Sequence, residues 1–522
     1  MSKNDPNRRE FLKAGAAGVA AMALFRNSAG GTMPPSDADP FPELVEVTIG
    51  ELQARMRSGE LTARRLVEMY LERIKQIDPK TRAVLEINPD ALLIADQLDK
   101  ERKRGKLRSM LHGIPVLIKD NIDTADKMHT TAGSLALLDA PTPKQDAFVA
   151  KQLRRAGAVI IGKTNLSEWA NFRSTKSISG WSGRGLQTNN PYFLDQNPCG
   201  SSSGSGVAVS ANLTVAAVGT ETNGSVICPS VTNGIVGIKP TLGLVSRSGI
   251  IPIAHTQDTA GPMTRTVTDA AIMLSAMAGS DRNDRATAGA DKQRPKDYTK
   301  FLDPAGLKGA RLGLVMQFTA RPELKAYFQP FIDKLREAGA TLIDVTFTQD
   351  YGKMGNDRTA VLEYEFKTDL NKYLAARGSK YKTLADLIKF NDENNDREMP
   401  KFAQELFIES QAKGELTDKA YLDALEKVKK ATREDGIDAV LAKDKLDALV
   451  GPTSGAAWSV AAVAGYPSIT VPLGLRENSA TGMLFFGSAW SEPKLLKYAY
   501  AFEQKTKGRV TPQLLPTFPK KS

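Results

Sequence analysis

Residues 199–240 are far richer in glycine and serine than an ordinary helix or strand requires. Seven serines and seven glycines surround a short apolar run, Val215–Val218, which has the length and composition of a buried strand. Glycine lets a backbone turn tightly or approach a ligand closely, and serine supplies hydroxyl groups. The block therefore predicts serine-bearing loops next to a buried strand.

A second apolar run, Gly113–Asn121, has the sequence GIPVLIKDN and contains a single lysine, Lys119. A lysine at the end of a buried strand is costly unless it is neutral or well hydrogen-bonded. A neutral lysine that faces serines can activate a nucleophile without histidine. Because the chain has only three histidines, a Ser-His-Asp arrangement has few candidates, and we predict a serine hydrolase that uses lysine as its base.

Taken together, these stretches resemble the amidase signature family, and the gap of 24 positions between Ser201 and Ser225 agrees with it. The resemblance extends from about Leu44 to the C-terminal helix and is greatest to bacterial peptide amidases, which remove the C-terminal amide of peptides. The family motifs are GIPVLIKDN, GSSSGSG (Gly200–Gly206), GTETNGS (Gly219–Ser225) and GIVGIKPT (Gly234–Thr241). The stretches that resemble the peptide amidases are Lys163–Arg173, Ser177–Ser182, Gly243–Ile253 and Gln257–Arg265.

The resemblance implies a Ser-cisSer-Lys triad. Ser225 matches the nucleophile, Ser201 matches a bridging serine that follows a cis peptide bond, and Lys119 matches the general base. The chemistry is coherent, since a serine hydroxyl needs a base within hydrogen-bond reach and burial lowers the pKa of a lysine. We also expect the turn that ends at Ser225 to hold the oxyanion of the transition state. The backbone N–H groups proposed for this role are those of Thr222, Asn223, Gly224 and Ser225.

Other polar residues of these motifs are expected to be structural. We expect Ser202, Ser203 and Ser205 to hydrogen-bond within their loop, and Glu221 to be a structural carboxylate rather than a catalytic acid. We expect His112 and His129 to be satisfied polar groups. No cluster with metal-ligand spacing is visible in the sequence, so we predict neither a metal nor a cofactor.

Two cysteines, Cys199 and Cys228, each lie within three residues of a predicted catalytic serine. A disulfide is conceivable once the two loops meet, and sequence alone leaves the pairing open. Since cysteine is commonly a small core residue, we favour two buried free thiols.

The N-terminus has the features of an export signal. Arg8–Lys13 (RREFLK) is a twin-arginine pattern, and the apolar stretch Ala14–Phe25 is shorter than the roughly 20 residues that span a bilayer. We therefore predict a signal at residues 1–29, export to the periplasm or beyond, and no stable membrane anchoring. The net charge of +11 includes five cations and two acids in this segment. Because no aromatic-interleaved basic cluster is present, we predict no nucleic-acid partner.

The rest of the chain alternates strand-like runs, such as 114–118, with helical segments, for which Thr62 and Asp146 are expected N-caps. This alternation predicts an α/β fold with a mixed sheet. Residues 30–43 are expected to be a linker, and residues 44–522 to be a single domain. The resemblance implies an α/β/α sandwich around a large mixed sheet. A charged helical insertion at about 350–440 is expected to form a cap. We predict a monomer or a homodimer.

The sequence is compatible with four functions to different degrees. The leading hypothesis is hydrolysis of a carboxamide, in particular the C-terminal amide of a peptide. Its alternative is a broader amidase for aryl, acyl or lactam amides, and a non-catalytic binding protein is disfavoured by the complete triad. In the family, the commonest form of the second loop is GTDTGGS followed by Ile-Arg, and the absence of this arginine argues against a fourth function, the glutaminase subunit of an amidotransferase. Here Val226-Ile227 follows Ser225, and the export signal also disfavours that subunit. The region Pro452–Pro467 is shorter than in peptide amidases, which weakens transfer of their substrate preference.

Overall fold

The centre of the fold is a mixed sheet of eleven strands. The computed structural model describes residues 41–317 and 322–519. The strands, in chain order, are β1 (Val84–Ile87), β2 (Pro115–Lys119), β3 (Val159–Thr164), β4 (Trp181–Ser182), β5 (Leu186–Gln187), β6 (Ala216–Glu221), β7 (Val236–Lys239), β8 (Thr259–Thr264), β9 (Arg311–Val315), β10 (Thr341–Val345), β11 (Ala448–Pro452), β12 (Ser468–Arg476) and β13 (Ser479–Phe486). Strands β4 and β5 form a separate two-stranded ribbon.

The order of the large sheet is β1-β3-β2-β6-β8-β7-β12-β13-β11-β9-β10. Strands β3, β2 and β6 run parallel, as do β11, β9 and β10. The strands between these groups pair antiparallel. The predicted mixed α/β fold is therefore confirmed.

Helices flank the sheet and fill the long connection between β10 and β11. The α-helices are α1 (Ile49–Ser58), α2 (Ala63–Thr81), α3 (Ala91–Lys103), α4 (Phe148–Ala156), α5 (Ser203–Ser210), α6 (Ile227–Thr232), α7 (Val267–Met277), α8 (Ala290–Gln293), α9 (Pro322–Glu337), α10 (Gly355–Arg377), α11 (Leu384–Glu393), α12 (Asn395–Glu398), α13 (Glu405–Gln411), α14 (Lys419–Thr432), α15 (Ala439–Lys443), α16 (Gly455–Ala464) and α17 (Glu492–Thr506). Single turns of 3₁₀-helix lie at Pro42–Leu44, Leu135–Leu137, Glu168–Asn171, Arg285–Thr287, Tyr298–Phe301 and Tyr351–Met354, and a π-helical segment at Arg433–Asp438. None of the helices in the described ranges is long and apolar enough to cross a membrane.

An apolar cluster joins the helical insertion to the sheet-bearing part of the chain. Trp169 and Ile253 contribute from the latter, and Phe366 and Phe407 contribute from α10 and α13. The Trp169 and Phe407 rings meet edge to face with their centroids 5.7 Å apart, a favourable aromatic geometry. This packing holds α10 over the loop that precedes β8.

Most predicted strands agree with the structure to within a few residues at each end. The apolar run predicted at 114–118 is β2, and its five residues, including Lys119, are buried. Thr62 caps α2 as predicted, because its side chain accepts a hydrogen bond from the Arg65 amide at 3.1 Å. The sequence analysis does not predict β1, which is only four residues long, or β8, in which Gly261 and Pro262 weaken the strand signal.

The prediction that Asp146 caps a helix is wrong. Helix α4 begins at Phe148, and its N-cap position is Ala147. The Asp146 carboxylate instead accepts the Ala125 amide at 2.8 Å and pairs with Arg154 at 3.1 Å. Asp146 therefore lies one residue before the N-cap position, and its side chain links helix α4 to the loop at Ala125.

The predicted export signal and most of the predicted linker lie outside the described residues. The described chain begins at Phe41, and Leu44 is already fully buried. The packed core thus begins where the linker was expected to end.

Candidate active site

Strand β2 carries Lys119 into the interior at the C-terminal edge of the parallel strands. Its Nζ lies 2.6 Å from the Ser201 Oγ, 2.8 Å from the Thr220 Oγ1 and 3.4 Å from the Thr220 carbonyl oxygen. Both Lys119 and Ser201 are fully buried. Burial lowers the Lys119 pKa to about 7, against the opposing effect of the negative charges of Asp258 and Glu221. A substantial fraction of this lysine is therefore neutral near neutral pH.

Ser225 lies directly beside Ser201. The backbone N–H of Ser201 donates a hydrogen bond to the Ser225 Oγ at 3.3 Å, and the Ser202 N–H donates to the Ser225 carbonyl oxygen at 3.2 Å. Within the described chain, no hydrogen bond joins the two hydroxyl oxygens of Ser201 and Ser225 directly. Ser225 retains 8% of its surface exposed, whereas Ser201 has none. The structure thus brings all three predicted residues together, with Ser225 nearest to solvent.

The turn at residues 222–225, which we call the oxyanion turn after its predicted role, presents backbone N–H groups towards the site. Among the described residues, none accepts a hydrogen bond from the N–H groups of 222–225. Gly224 adopts φ +84°, a left-handed conformation that favours glycine, and a Cβ there would overlap the indole of Trp458. Ser459 donates to the Asn223 Oδ1 at 2.8 Å, so α16 packs directly on this turn. The geometry suits the binding of a developing oxyanion.

The carboxylate of Glu221 organises the segment that follows Ser225. Its Oε2 accepts the amides of Val226 and Ile227 at 2.8 and 2.9 Å, at the N-terminus of α6. An anion at a helix N-terminus satisfies donors that lack partners within the helix. The predicted structural role of Glu221 is confirmed.

The remaining serines of the first loop are also structural. Ser202 donates to the Thr220 carbonyl at 3.0 Å, Ser203 to the Gly200 carbonyl at 2.6 Å, and Ser205 to the Val218 carbonyl at 3.0 Å. The Ser202 and Ser205 bonds fix this segment against β6, whereas only the Ser203 bond lies within the loop as predicted.

Asp258 is a buried residue whose importance the sequence did not reveal. Its carboxylate accepts the Thr222 hydroxyl at 2.5 Å and the amides of Ile253 and Ala254 at 2.8 and 2.9 Å. Burial raises the Asp258 pKa to about 6, against the lowering effect of these hydrogen bonds. Asp258 therefore joins the oxyanion turn to the loop before β8. It lies within the motif Gln257–Arg265, which is the only signal that could have identified it.

Cys199 and Cys228 form a disulfide, so the prediction of free thiols is wrong. Their Cα atoms are 5.7 Å apart, within the usual range for a disulfide. The bond links the loop before Ser201 to helix α6 after Ser225. Sequence could not decide this because the two residues are 29 positions apart and become neighbours only through the serine loops.

A cavity of about 290 Å³ opens beside the oxyanion turn. Thr220, Glu221 and Thr222 line one side of it, whereas Lys119, Ser201 and Ser225 do not line it. Helix α10 closes the opposite side. The other lining residues are Asn121, Ala170, Arg247, Ser248, Ile250, Ile251, Pro252, Ile253, His255, Asp258, Thr259, Asn283, Asp284, Asp369, Lys372, Tyr373 and Ala376.

Charged side chains around this cavity are mostly paired. The Arg247 Nε donates to the Asp284 Oδ2 at 2.8 Å, and the His255 Nδ1 lies 2.8 Å from the Asp369 Oδ2. Glu365 accepts the Thr256 amide at 2.9 Å. The contacts of Asp369 and Glu365 fix α10 to the loop before β8.

The three histidines occupy different environments. The His112 Nε2 lies 2.9 Å from the Leu98 carbonyl oxygen, and His129 pairs with Glu86 at 3.0 Å, so both are satisfied polar groups as predicted. His255, Glu365 and Asp369 converge into a group that could hold a metal ion. The sequence showed no such cluster because His255 lies more than 100 positions before Glu365 and Asp369. In the structure, the same atoms hydrogen-bond one another or the backbone.

Two segments of the chain match models of known protein families. Residues 65–461 match the family model described as Amidase. Residues 5–25 match the model of the twin-arginine translocation pathway signal sequence, which confirms the predicted export signal.

Close relatives cover nearly the whole chain. A probable amidase of Arabidopsis thaliana is 43% identical over 480 residues, which cover 90% of this chain and 92% of the relative. The native peptide amidase of Stenotrophomonas maltophilia is 48% identical, with a TM-score of 0.85 and coverage of 91% of this chain and 99% of that one. The structure of a peptide amidase with the competitive inhibitor chymostatin is also 48% identical, with a TM-score of 0.85 and coverage of 90% and 99%.

Proposed function

Because this chain belongs to the amidase family, we propose that it hydrolyses the C-terminal amide of peptides through an acyl-Ser225 intermediate. The contact of the Lys119 Nζ with the Ser201 Oγ, at 2.6 Å, is the observation that carries the mechanism. The substrate class rests on the similarity to peptide amidases, at 48% identity over nearly the full length. The twin-arginine signal directs the protein out of the cytoplasm, where it can meet extracytoplasmic peptides.

The mechanism begins with Lys119 in its neutral form. A neutral amine has two N–H donors and one lone pair. The two oxygens of Thr220 accept the donors, which leaves the lone pair to accept a hydrogen bond from the Ser201 hydroxyl. Burial lowers the Lys119 pKa to about 7, so this form is available at neutral pH.

Attack then transfers one proton through Ser201. The Ser225 Oγ forms a bond to the amide carbonyl carbon, its proton passes to the Ser201 Oγ, and the Ser201 proton passes to the Lys119 Nζ. The carbonyl oxygen becomes an oxyanion, which the amides of residues 222–225 bind. A small rotation of the two hydroxyls must accompany substrate binding, because catalytic hydrogen bonds often tighten only in the complex.

Collapse of the tetrahedral intermediate breaks the C–N bond. The proton held by Lys119 returns through Ser201 to the leaving nitrogen, and ammonia departs. Water then attacks the acyl-Ser225 ester by the same proton path and releases the peptide acid. No metal or cofactor takes part in these steps.

A panel of substrates tests the proposed substrate class. Ammonia release from amidated dipeptides is compared with aniline release from acyl anilides and with ammonia release from free amino-acid amides. We expect amidated dipeptides to react fastest. Fast anilide hydrolysis with no reaction of any peptide amide would instead identify a broader aryl or acyl amidase.

A further inference from the structure

The cavity beside the oxyanion turn must receive the acyl part of the substrate if the proposed function holds. When ammonia is the leaving group, almost no substrate lies on the leaving side of the scissile bond. The volume of about 290 Å³ is at the lower end for ligand pockets and suits a short segment of peptide. The side chains around this cavity therefore contact the residues that carry the amide.

Most of the cavity is neutral or apolar. Arg247 is paired with Asp284, and His255 with Asp369. Asp258 is buried and its carboxylate accepts three hydrogen bonds from the protein. These groups have little free charge or hydrogen-bonding capacity to offer a ligand.

Lys372 is different, because its ammonium group has no partner. It lines the cavity from helix α10 and is exposed. Across residues 41–317 and 322–519, no hydrogen bond or ion pair reaches its side chain. Asp369 lies three positions earlier, where it could pair with Lys372, but its Oδ2 is already engaged by His255 at 2.8 Å.

The backbone that carries Lys372 is held firmly in place. Tyr373, the next residue, donates its hydroxyl to the Asp123 Oδ1 at 2.8 Å. Glu365 and Asp369 attach the same helix to Thr256 and His255. The Lys372 backbone therefore has a fixed position beside the cavity, and the side chain brings its positive charge there.

We propose that Lys372 is a specificity-determining residue that favours peptide amides with a carboxylate side chain close to the amide. An exposed ion pair contributes modestly, and a rim charge acts mainly on substrate capture. The effect falls on KM and leaves kcat nearly constant, because the carboxylate is bound equally in the ground state and the transition state. This inference rests on the proposed peptide amidase function.

The test compares alanyl-glutamate α-amide with alanyl-methionine amide. Methionine matches the length of glutamate without its charge and, unlike glutamine, carries no second carboxamide. We expect wild-type enzyme in low salt to favour the glutamate substrate in kcat/KM by about three-fold. Lys372→Ala should reduce this ratio to about one, and Lys372→Glu should invert it. Added salt at about 0.5 M should shrink the wild-type preference, because salt screens exposed charges.

Lys389→Ala is the matched control. Lys389 is also an exposed lysine of the insertion, but it lies on α11 beside Glu393 and does not line the cavity. Its substitution removes the same charge and should keep the wild-type ratio. An unchanged ratio in both Lys372 variants would overturn the assignment of Lys372. Failure of either peptide amide to release ammonia would instead overturn the proposed function.

Discussion

The Lys119 Nζ lies 2.6 Å from the Ser201 Oγ in a region where both side chains are fully sheltered from solvent. Two other buried lysines, Lys163 and Lys239, also lie near strand ends, but their ammonium groups contact the backbone or a threonine. The serine contact therefore distinguishes Lys119 as the candidate base.

Lys119→Ala and Lys119→Arg should both lower kcat by at least 10³-fold. Arginine keeps a charge but cannot lose its proton in a protein, so it cannot act as a base. In the wild type, the neutral amine is the active form, and a pKa of about 7 means that activity falls as pH decreases through about 7. Steady-state kinetics from pH 5 to 9, with circular dichroism to verify folding, would measure both effects. Substantial activity in Lys119→Arg would make Lys119 a structural charge.

Gly224→Ala should reduce kcat at least 100-fold, because it displaces the oxyanion turn. The substitution combines an unfavourable φ of +84° with overlap of the Trp458 indole. Gly378→Ala is the control, since Gly378 has φ +80° at the end of α10 but no atom within 4 Å of the added Cβ. Both variants should lose about 1–2 kcal/mol of stability from backbone strain alone. Equal kcat values for the two would exclude a catalytic role for the turn.

Reduction of the Cys199–Cys228 disulfide should lower thermal stability and activity together. The bond closes a loop of 29 positions that contains Ser201 and Ser225, and a cross-link that closes a loop of that length stabilises a fold by about 3.6 kcal/mol. Thermal melts with and without dithiothreitol would show the shift. The double variant Cys199→Ser/Cys228→Ser should have a melting temperature close to that of the reduced wild type, and added reductant should not change it. A wild-type melting temperature unaffected by complete reduction would contradict this prediction.

Glu168 and Glu398 form a buried carboxyl pair between the sheet-bearing region and the helical insertion. Burial first, and then the Glu398 charge, raise the Glu168 pKa well above its usual value, although Arg173 lies 2.8 Å away. Folding therefore takes up a proton at a pH where unfolded glutamate is ionised. By linkage, this group makes the free energy of unfolding fall as pH rises above about 4.5.

Glu398→Gln should weaken that dependence, because an amide can donate to Glu168 and removes the like charge. Each unit of lowered Glu168 pKa is worth about 1.4 kcal/mol at pH values above both pKa values. Between pH 5 and 8.5, the melting temperature of Glu398→Gln should rise relative to that of the wild type as pH increases. Glu393→Gln, at an exposed site, is the control. Parallel curves for Glu398→Gln and the wild type would rule out the Glu398 charge as a cause of the raised Glu168 pKa.

The sequence predicted the two serine loops and most of the strands, because their signals are local. Ser201, Ser225 and Lys119 lie in short motifs with fixed spacing, and buried strands such as β6 are short apolar runs. The residues that the sequence missed act through contacts between distant segments. Asp258 binds the Thr222 hydroxyl across 36 positions, and Trp458 reaches Gly224 from another part of the chain.

The errors have the same origin. The sequence favours Cys199 and Cys228 as separate core residues. In the structure, the two serine loops lie side by side, and the two cysteines are close enough to form a disulfide. His255 gains Glu365 and Asp369 only when α10 packs over the loop before β8. Such contacts between distant segments cannot be deduced from residue type and spacing, because they depend on how the whole chain packs.

The most direct test of the central claim is mass spectrometry of an amidated pentapeptide treated with the wild type and with Ser225→Ala. The wild type should convert –NH₂ to –OH, a gain of about one mass unit, with one equivalent of ammonia and no shorter fragments. Ser225→Ala should lose more than about 10³-fold of this activity while it keeps the wild-type fold, because it lacks only the nucleophile. Retention of more than a few per cent of activity by Ser225→Ala, or internal peptide fragments from the wild type, would contradict the account.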